Sequence, residues 1–187
     1  MAIKRKRMFY TFKEAAHAGS YDEFPMLPPG VDPQLHLSRN EGVQPFWLTL
    51  EKDSVIVQMS GAARVEMREG PMLWDDLVPG DFLYIPAGTP HRIDARQTSI
   101  MYRFKAENAG LEAVSWYCEH CNARLWRRVW ETARQSPQSG YLQSCKEFNE
   151  HTEHRTCESC QTVHPIVDLE IYRWAEIDKE LRSAPVE

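Results

Sequence analysis

The sequence predicts an all-β barrel followed by a small module that folds around a metal ion. Three observations support this prediction: short apolar strands separated by Gly and Pro turns over residues 44–104, one histidine presented after such a turn in VPGDFLYIPAGTPHRI, and two CxxC pairs further along the chain. Short strands at this spacing are typical of β-sandwiches and barrels. We assign the barrel and its N-terminal arm to residues 1–110. The four-cysteine module and a C-terminal helix occupy residues 111–187.

Composition and charge narrow the range of partners. The 187 residues are 42% hydrophobic and carry a net charge of −5, so no basic field is available to attract nucleic acid. No apolar run approaches the ~20 residues of a membrane span, and the basic first residues lead into polar ones where a secretory signal would be apolar. We therefore expect a cytoplasmic protein whose partners are small molecules or other proteins.

The individual elements follow from turn residues and periodicity. The predicted barrel strands are Ser54–Met59, Ala63–Met67, Gly80–Pro86, residues 92–94 and Ser99–Phe104. Before them, the Pro-rich Phe24–Pro33 is predicted as an extended arm. After the barrel, Asn122–Arg134 has apolar residues at helical spacing, although a strand could hold them too. Gln135–Gly140 is predicted as a loop and Ala175–Arg182 as an amphipathic helix.

The two CxxC pairs predict a metal site. Cys118 and Cys121 form one pair, Cys157 and Cys160 the other, and each pair can direct two sulfurs at a shared ion. One Zn or one Fe is compatible with four thiolates. A closed site of this kind stabilises a small module but has no open position for chemistry. Cys145 is left over and is predicted to be a free thiol.

The spacing of Gly80, Pro86, Gly88 and His91, G-x5-P-x-G-x2-H, resembles the second motif of the cupin barrels, which are double-stranded β-helices of jelly-roll type. Together with WYCEHC and CESCQTVHP, it makes the chain resemble bacterial 3-hydroxyanthranilate 3,4-dioxygenase. The resemblance implies ring opening by O2 at a non-haem Fe(II) held by two His and one Glu. It also implies a rubredoxin-like iron in the second domain that takes no part in the chemistry, and a homodimer.

The first cupin motif departs from this pattern. The resemblance aligns His91 with a metal ligand, but it aligns a second histidine position with Leu48 and the glutamate position with Ser54. The usual Fe(II) triad is therefore not intact. The sequence predicts a barrel without iron, or an iron site rebuilt from residues such as His36 and Glu41.

Three functional hypotheses remain. The first is a divergent dioxygenase acting on an amino- or hydroxy-aromatic acid. The second is a metal-free cupin enzyme or binding protein, with His91 as general base and Arg103 holding the anionic group of a small aromatic acid. The third is a protein-interaction module. His91 and Arg103 are the predicted catalytic residues.

Overall fold

The structure, a computed structural model, describes residues 5–183. No helix within these residues is both long and apolar enough to cross a membrane. The strands are β1 (Phe24–Pro25), β2 (Gln34–Val43), β3 (Trp47–Leu50), β4 (Ser54–Ser60), β5 (Ala63–Met67), β6 (Trp74–Leu77), β7 (Phe82–Ile85), β8 (His91–Lys105), β9 (Leu111–Tyr117) and β10 (Arg124–Glu131). The helices are α1 (Thr11–Ala15), α2 (Pro137–Glu150), α3 (Thr152–Arg155) and α4 (Trp174–Ser183).

Strand β8 organises the barrel. Its first part pairs with β5, and its second part lies between β2 and β4, all antiparallel. Because one 15-residue strand serves both parts, the sheet curls around it. The segments predicted separately at residues 92–94 and 99–104 are therefore a single strand.

Alternation along β8 determines what lines the barrel. In a strand, every second side chain points to the same face. The buried residues of β8 are His91, Ile93, Ala95, Ser99, Met101, Arg103 and Lys105. These buried side chains are uncharged in the middle of β8 and charged at its C-terminal end. A histidine, an arginine and a lysine thus share the inner face with the core.

The N-terminal arm covers the barrel. Phe24–Pro33 contains no helix, as predicted, and its β1 pairs with β2. Just before it, Tyr21 and Glu23 have left-handed backbone with φ of 56° and 45°. Non-glycine residues rarely adopt this conformation, and here it turns both side chains into the protein, where they are buried.

The segment after the barrel is a strand followed by a helix. The stretch predicted at Asn122–Arg134 contains β10 (Arg124–Glu131), which pairs with β9, so the strand alternative was right and the helical spacing misleading. The loop predicted at Gln135–Gly140 is wrong from Pro137 onward, because Ser136 caps α2 by accepting from the Ser139 amide at 3.2 Å. The predicted C-terminal helix is confirmed as α4.

Aromatic packing joins the barrel to the second half of the chain. Trp116 of β9 stacks on Phe148 of α2 with ring centroids 4.2 Å apart, and Phe46 packs against Tyr141 and Trp174. The predicted antiparallel β-barrel and the four-cysteine cluster are confirmed. The boundary between residues 110 and 111 stays a prediction, since β9 pairs with β3 of the barrel immediately after it.

Candidate functional site

The four cysteines of the two CxxC pairs converge as predicted. Their Sγ atoms all lie within 4.8 Å of one another. The Cys118 and Cys160 sulfurs are 3.5 Å apart and the Cys121 and Cys157 sulfurs 3.4 Å apart. Sulfurs bound to one tetrahedral Zn2+ at ~2.3 Å lie about 3.8 Å from each other, so the cluster fits a single ion. Cys145 is a free, buried thiol outside it.

Two matching turns position these sulfurs. The amide of Asn122 donates to the carbonyl of Cys118 at 2.9 Å, and the amide of Gln161 donates to that of Cys157 at 2.8 Å. Asn122 and Gln161 both have left-handed backbone, with φ of 62° and 61°. Each turn therefore folds back on its first cysteine and presents both sulfurs on one side. A site closed by four thiolates has no open position, so we expect a metal bound there to have a structural role.

In the barrel, His91 is completely buried and hydrogen-bonded at both ring nitrogens. Nδ1 lies 3.0 Å from the carbonyl oxygen of Thr89, which can only accept, so Nδ1 carries the proton. Nε2 lies 2.9 Å from Nη1 of Arg103, which can only donate. The imidazole is therefore neutral, and its remaining lone pair accepts from a guanidinium.

Arg103 is neutralised by Glu23 from the N-terminal arm. Arg103 Nε donates to Glu23 Oε1 at 2.8 Å, and both side chains are at most 5% exposed. Helix α2 fixes the carboxylate in place. Tyr141 donates to its other oxygen at 3.1 Å, and Gln138 donates to the backbone carbonyl of Glu23 at 3.0 Å. A second buried pair, Lys105 and Glu112, lies 2.6 Å apart.

The pKa values follow from this arrangement. Burial and the charge of Arg103 lower the pKa of His91 to about 3. Burial alone would favour protonated Glu23, but Arg103 and Lys105 outweigh it and lower the pKa of Glu23 to about 2. At neutral pH His91 is therefore a neutral imidazole and Glu23 a carboxylate.

The barrel does not fit an Fe(II) ion. Leu48 lies opposite His91 in the register of β3 and β8, and the Ser54 hydroxyl lies 3.4 Å from Arg103 Nη1, so the positions aligned from the cupin motif do meet in space. However, leucine offers no ligand atom, and the lone pair of His91 faces a guanidinium that cannot bind metal. Within residues 5–183, the four cysteines are the only cluster of three or more potential metal ligands.

Of the two residues considered for a rebuilt iron site, His36 lies opposite Arg103 in the register of β2 and β8, whereas Glu41 lies at the surface. His36 is buried on β2, where burial and the charge of Lys105 hold its pKa well below the usual value. Glu41 is exposed and pairs with Arg39. Neither belongs to a metal-ligand cluster in the part of the chain that the structure describes.

Sequence reasoning found Arg103 but missed its partner. Arg103 and Lys105 share the parity of His91 along β8, and that alternation is a usable signal for inward charges. Glu23 gives no such signal, because it lies in an irregular arm with no periodicity and beside another acid, Asp22. Only the left-handed backbone of the folded arm turns its carboxylate inward.

No protein-family model matches the sequence, and no curated protein matches it. Among solved structures, the chain is similar to hydroquinone 1,2-dioxygenase from Sphingomonas sp. TTNP3 with 4-hydroxybenzoate bound, at 17% identity and a TM-score of 0.47, covering 57% of this chain and 83% of that one. It is also similar to a hydroquinone 1,2-dioxygenase in complex with Cd2+ and 4-hydroxybenzonitrile, at 22% identity and a TM-score of 0.46, covering 52% of this chain and 71% of that one. A third similar structure is a cupin-2 domain containing protein from Shewanella frigidimarina, at 17% identity and a TM-score of 0.45, covering 54% of this chain and 94% of that one. Likeness at this level concerns the fold alone.

Proposed function

We propose that this protein is a metal-free cupin that binds a small organic acid, with a structural metal in its four-cysteine module. The observation that supports this most is the 2.9 Å contact between Arg103 Nη1 and His91 Nε2. His91 Nε2, the atom that could ligate iron, accepts a hydrogen bond from the Arg103 guanidinium instead. The Glu23 carboxylate compensates the charge of Arg103. A metal ion placed there would meet a positive charge instead of a second and third ligand.

The catalytic role of His91 and Arg103 stays a prediction. In the present arrangement His91 is a neutral base that already accepts a hydrogen bond, and its pKa near 3 makes it a weak base. Arg103 can take a substrate carboxylate only if Glu23 leaves it. Their proposed role is therefore to maintain a charge-balanced barrel interior.

The divergent dioxygenase is the competing proposal. It requires Fe(II) and a ligand set recruited from outside the cupin motif. Its test is oxygen uptake by purified protein after anaerobic Fe(II) loading, with a panel of amino- and hydroxybenzoates. We expect no Fe(II)-dependent uptake and no ring-opened product. Calorimetry on the same samples should detect binding of an acid from the panel with equal affinity with and without Fe(II).

A matched variant makes this test decisive. If oxygen uptake follows added Fe(II) and is lost when His91 is replaced by Gln, the metal-free proposal is wrong and the dioxygenase is supported. The homodimer and the protein-interaction role stay predictions as well. Light scattering on the purified chain gives the oligomeric state, and co-purification of a stoichiometric partner would support the interaction role.

A further inference from the structure

A cavity of about 320 Å3 lies between the barrel and the four-cysteine module. Its barrel wall includes Trp47, Arg68 and Arg92, and its module wall includes Trp116, Tyr117 and His164. This volume is within the range of small-molecule sites. The cavity is outside the barrel interior, so the network around His91 does not fill it.

Arg68 differs from the neighbouring Arg64 and Arg92 because it forms no salt bridge with any residue between 5 and 183, although Glu119 also lines the cavity. Its guanidinium carbon lies 3.6 Å from the ring centroid of Tyr117 and 4.5 Å from that of Trp47. Its Nε is buried without an acceptor among residues 5–183. By contrast, Arg92 lies 2.5 Å from the carboxylate of Glu66. Arg68 is thus a cation that lies against two aromatic rings inclined at 82° to each other, with its Nε–H unused.

The backbone of Arg68 is also fixed. Its amide donates to the carbonyl of Pro90 at 3.0 Å, directly beside the turn that presents His91. Contact with both rings restricts the side chain, so an anion that binds it does not have to order it first. Burial lowers the pKa of Arg68, which reflects the cost of keeping this charge without a counter-ion.

Two further groups on the cavity walls lack part of their hydrogen bonding. Trp116 is 1% exposed, yet its indole N–H has no acceptor among the described residues. His164 uses Nδ1 toward the Pro165 carbonyl at 2.8 Å, which leaves Nε2 available. An unused indole donor and an imidazole nitrogen that can accept, next to aromatic surface, are features of a site for a ligand with a polar and an apolar end.

We propose that this cavity binds a small organic carboxylate, with Arg68 as its anchor and the aromatic walls against its apolar part. A guanidinium binds a carboxylate through two parallel hydrogen bonds, which suits a single unpaired arginine. The guanidinium carbon of Arg92 lies 4.7 Å from the ring centroid of Trp47, which also contacts Arg68. This inference rests on the proposed binding function and gives that function a location.

The test uses benzoate as probe and the intact, metal-loaded protein in calorimetric titrations. Arg68→Met should weaken benzoate binding at least about tenfold, because a charge-assisted pair is lost. Arg68→Lys should be intermediate, because it keeps the charge but not the planar fork. Arg64→Met is the matched control, since Arg64 also lies over a tryptophan, 3.9 Å from the Trp74 ring centroid, but is paired with Asp76. It should leave affinity unchanged.

Two comparison ligands define the ligand class. Benzyl alcohol, which lacks the charge, and inorganic phosphate, which lacks the apolar part, should both bind more weakly than benzoate. In NMR titrations, benzoate should shift the indole N–H signal of Trp116 in wild type but not in Arg68→Met. The inference is overturned if wild type does not bind benzoate, if Arg68→Met binds it equally well, or if phosphate binds more tightly.

This result is separable from the proposed function. Iron loading of the barrel would contradict the metal-free proposal whatever Arg68 does. If the barrel takes up no iron and Arg68→Met binds benzoate as tightly as wild type, only the cavity is rejected as the location of the binding site.

Discussion

Glu23 and Arg103 lie in an interior that excludes solvent, and this burial determines the cost of changing either one. Glu23→Gln leaves Arg103 without its counter-charge, and breaking a buried pair costs about 3–5 kcal/mol. We expect a loss of this size in the free energy of unfolding measured by urea denaturation. Asp76→Asn, which breaks the exposed pair with Arg64, is the control and should cost far less.

A double variant separates charge balance from packing. Replacing Glu23 by Leu and Arg103 by Met removes both charges at similar volume, and such replacements are often neutral or stabilising. The double variant should therefore be more stable than Glu23→Gln alone. If Glu23→Gln unfolds like wild type, the buried pair does not hold the barrel closed.

His91 predicts a pH dependence of stability. Its pKa in the folded protein is about 3, below an unfolded value of about 6.5. The unfolded chain therefore binds one more proton between these values, so this contribution is present above pH ~6.5 and is lost as pH falls toward 3. The slope is about 1.4 kcal/mol per pH unit for one proton.

The measurement is urea unfolding of wild type and His91→Gln between pH 6 and pH 4. The glutamine variant should show a slope smaller by about one proton. Glu23 loses stability between an unfolded pKa of about 4.3 and a folded pKa of about 2, and this loss is common to both proteins, so it cancels in the comparison. Equal slopes in the two proteins would show that folding does not lower the pKa of His91.

At the scale of single residues, the sequence predicted those functional residues that belong to a motif. The four cysteines and His91 stand at fixed spacings, and the structure brings the cysteines together as expected. Arg103 is recoverable from strand alternation. Glu23 is not, because its position depends on long-range contacts from Gln138 and Tyr141.

Among the elements, α2 is held against β10 by close contact at Gly140. A Cβ added there would lie 2.3 Å from the ring of Trp130. Gly140→Ala should therefore destabilise the protein by about 1–3 kcal/mol through overpacking, although alanine favours helices.

Thermal unfolding of three variants checks this prediction. Lys146→Ala, at an exposed position of the same helix, should be close to wild type. Adding Trp130→Phe to Gly140→Ala should recover part of the loss, because the smaller ring makes room. A stabilised Gly140→Ala variant would mean that α2 can move away from the strand.

The elements also show where sequence patterns were ambiguous. The apolar residues of β10 satisfy both helical and strand spacing, and pairing with β9 decides between them. The start of α2 was hidden because Ser-Pro is a turn signal as well as a cap followed by a first helical proline. Tertiary pairing and capping geometry resolved what local composition could not.

At the scale of the whole molecule, the two CxxC turns meet in the second half of the chain, and we expect a metal bound there to stabilise the fold. Cys118→Ser should lose the metal and lower the melting temperature, since metal binding is coupled to folding of such modules. Cys145→Ala is the control, because Cys145 lies outside the cluster and its loss should keep the metal. Elemental analysis with circular dichroism checks both. It would falsify the structural role if Cys118→Ser retained stoichiometric metal and wild-type stability.

The most direct test of the central claim is the metal content per chain after anaerobic incubation with Fe(II) and removal of free metal. A barrel whose histidine accepts from Arg103 predicts one metal per chain, retained in His91→Gln and lost in Cys118→Ser. Two metals per chain, with the second lost in His91→Gln, would contradict the claim and show that the barrel binds a metal through His91.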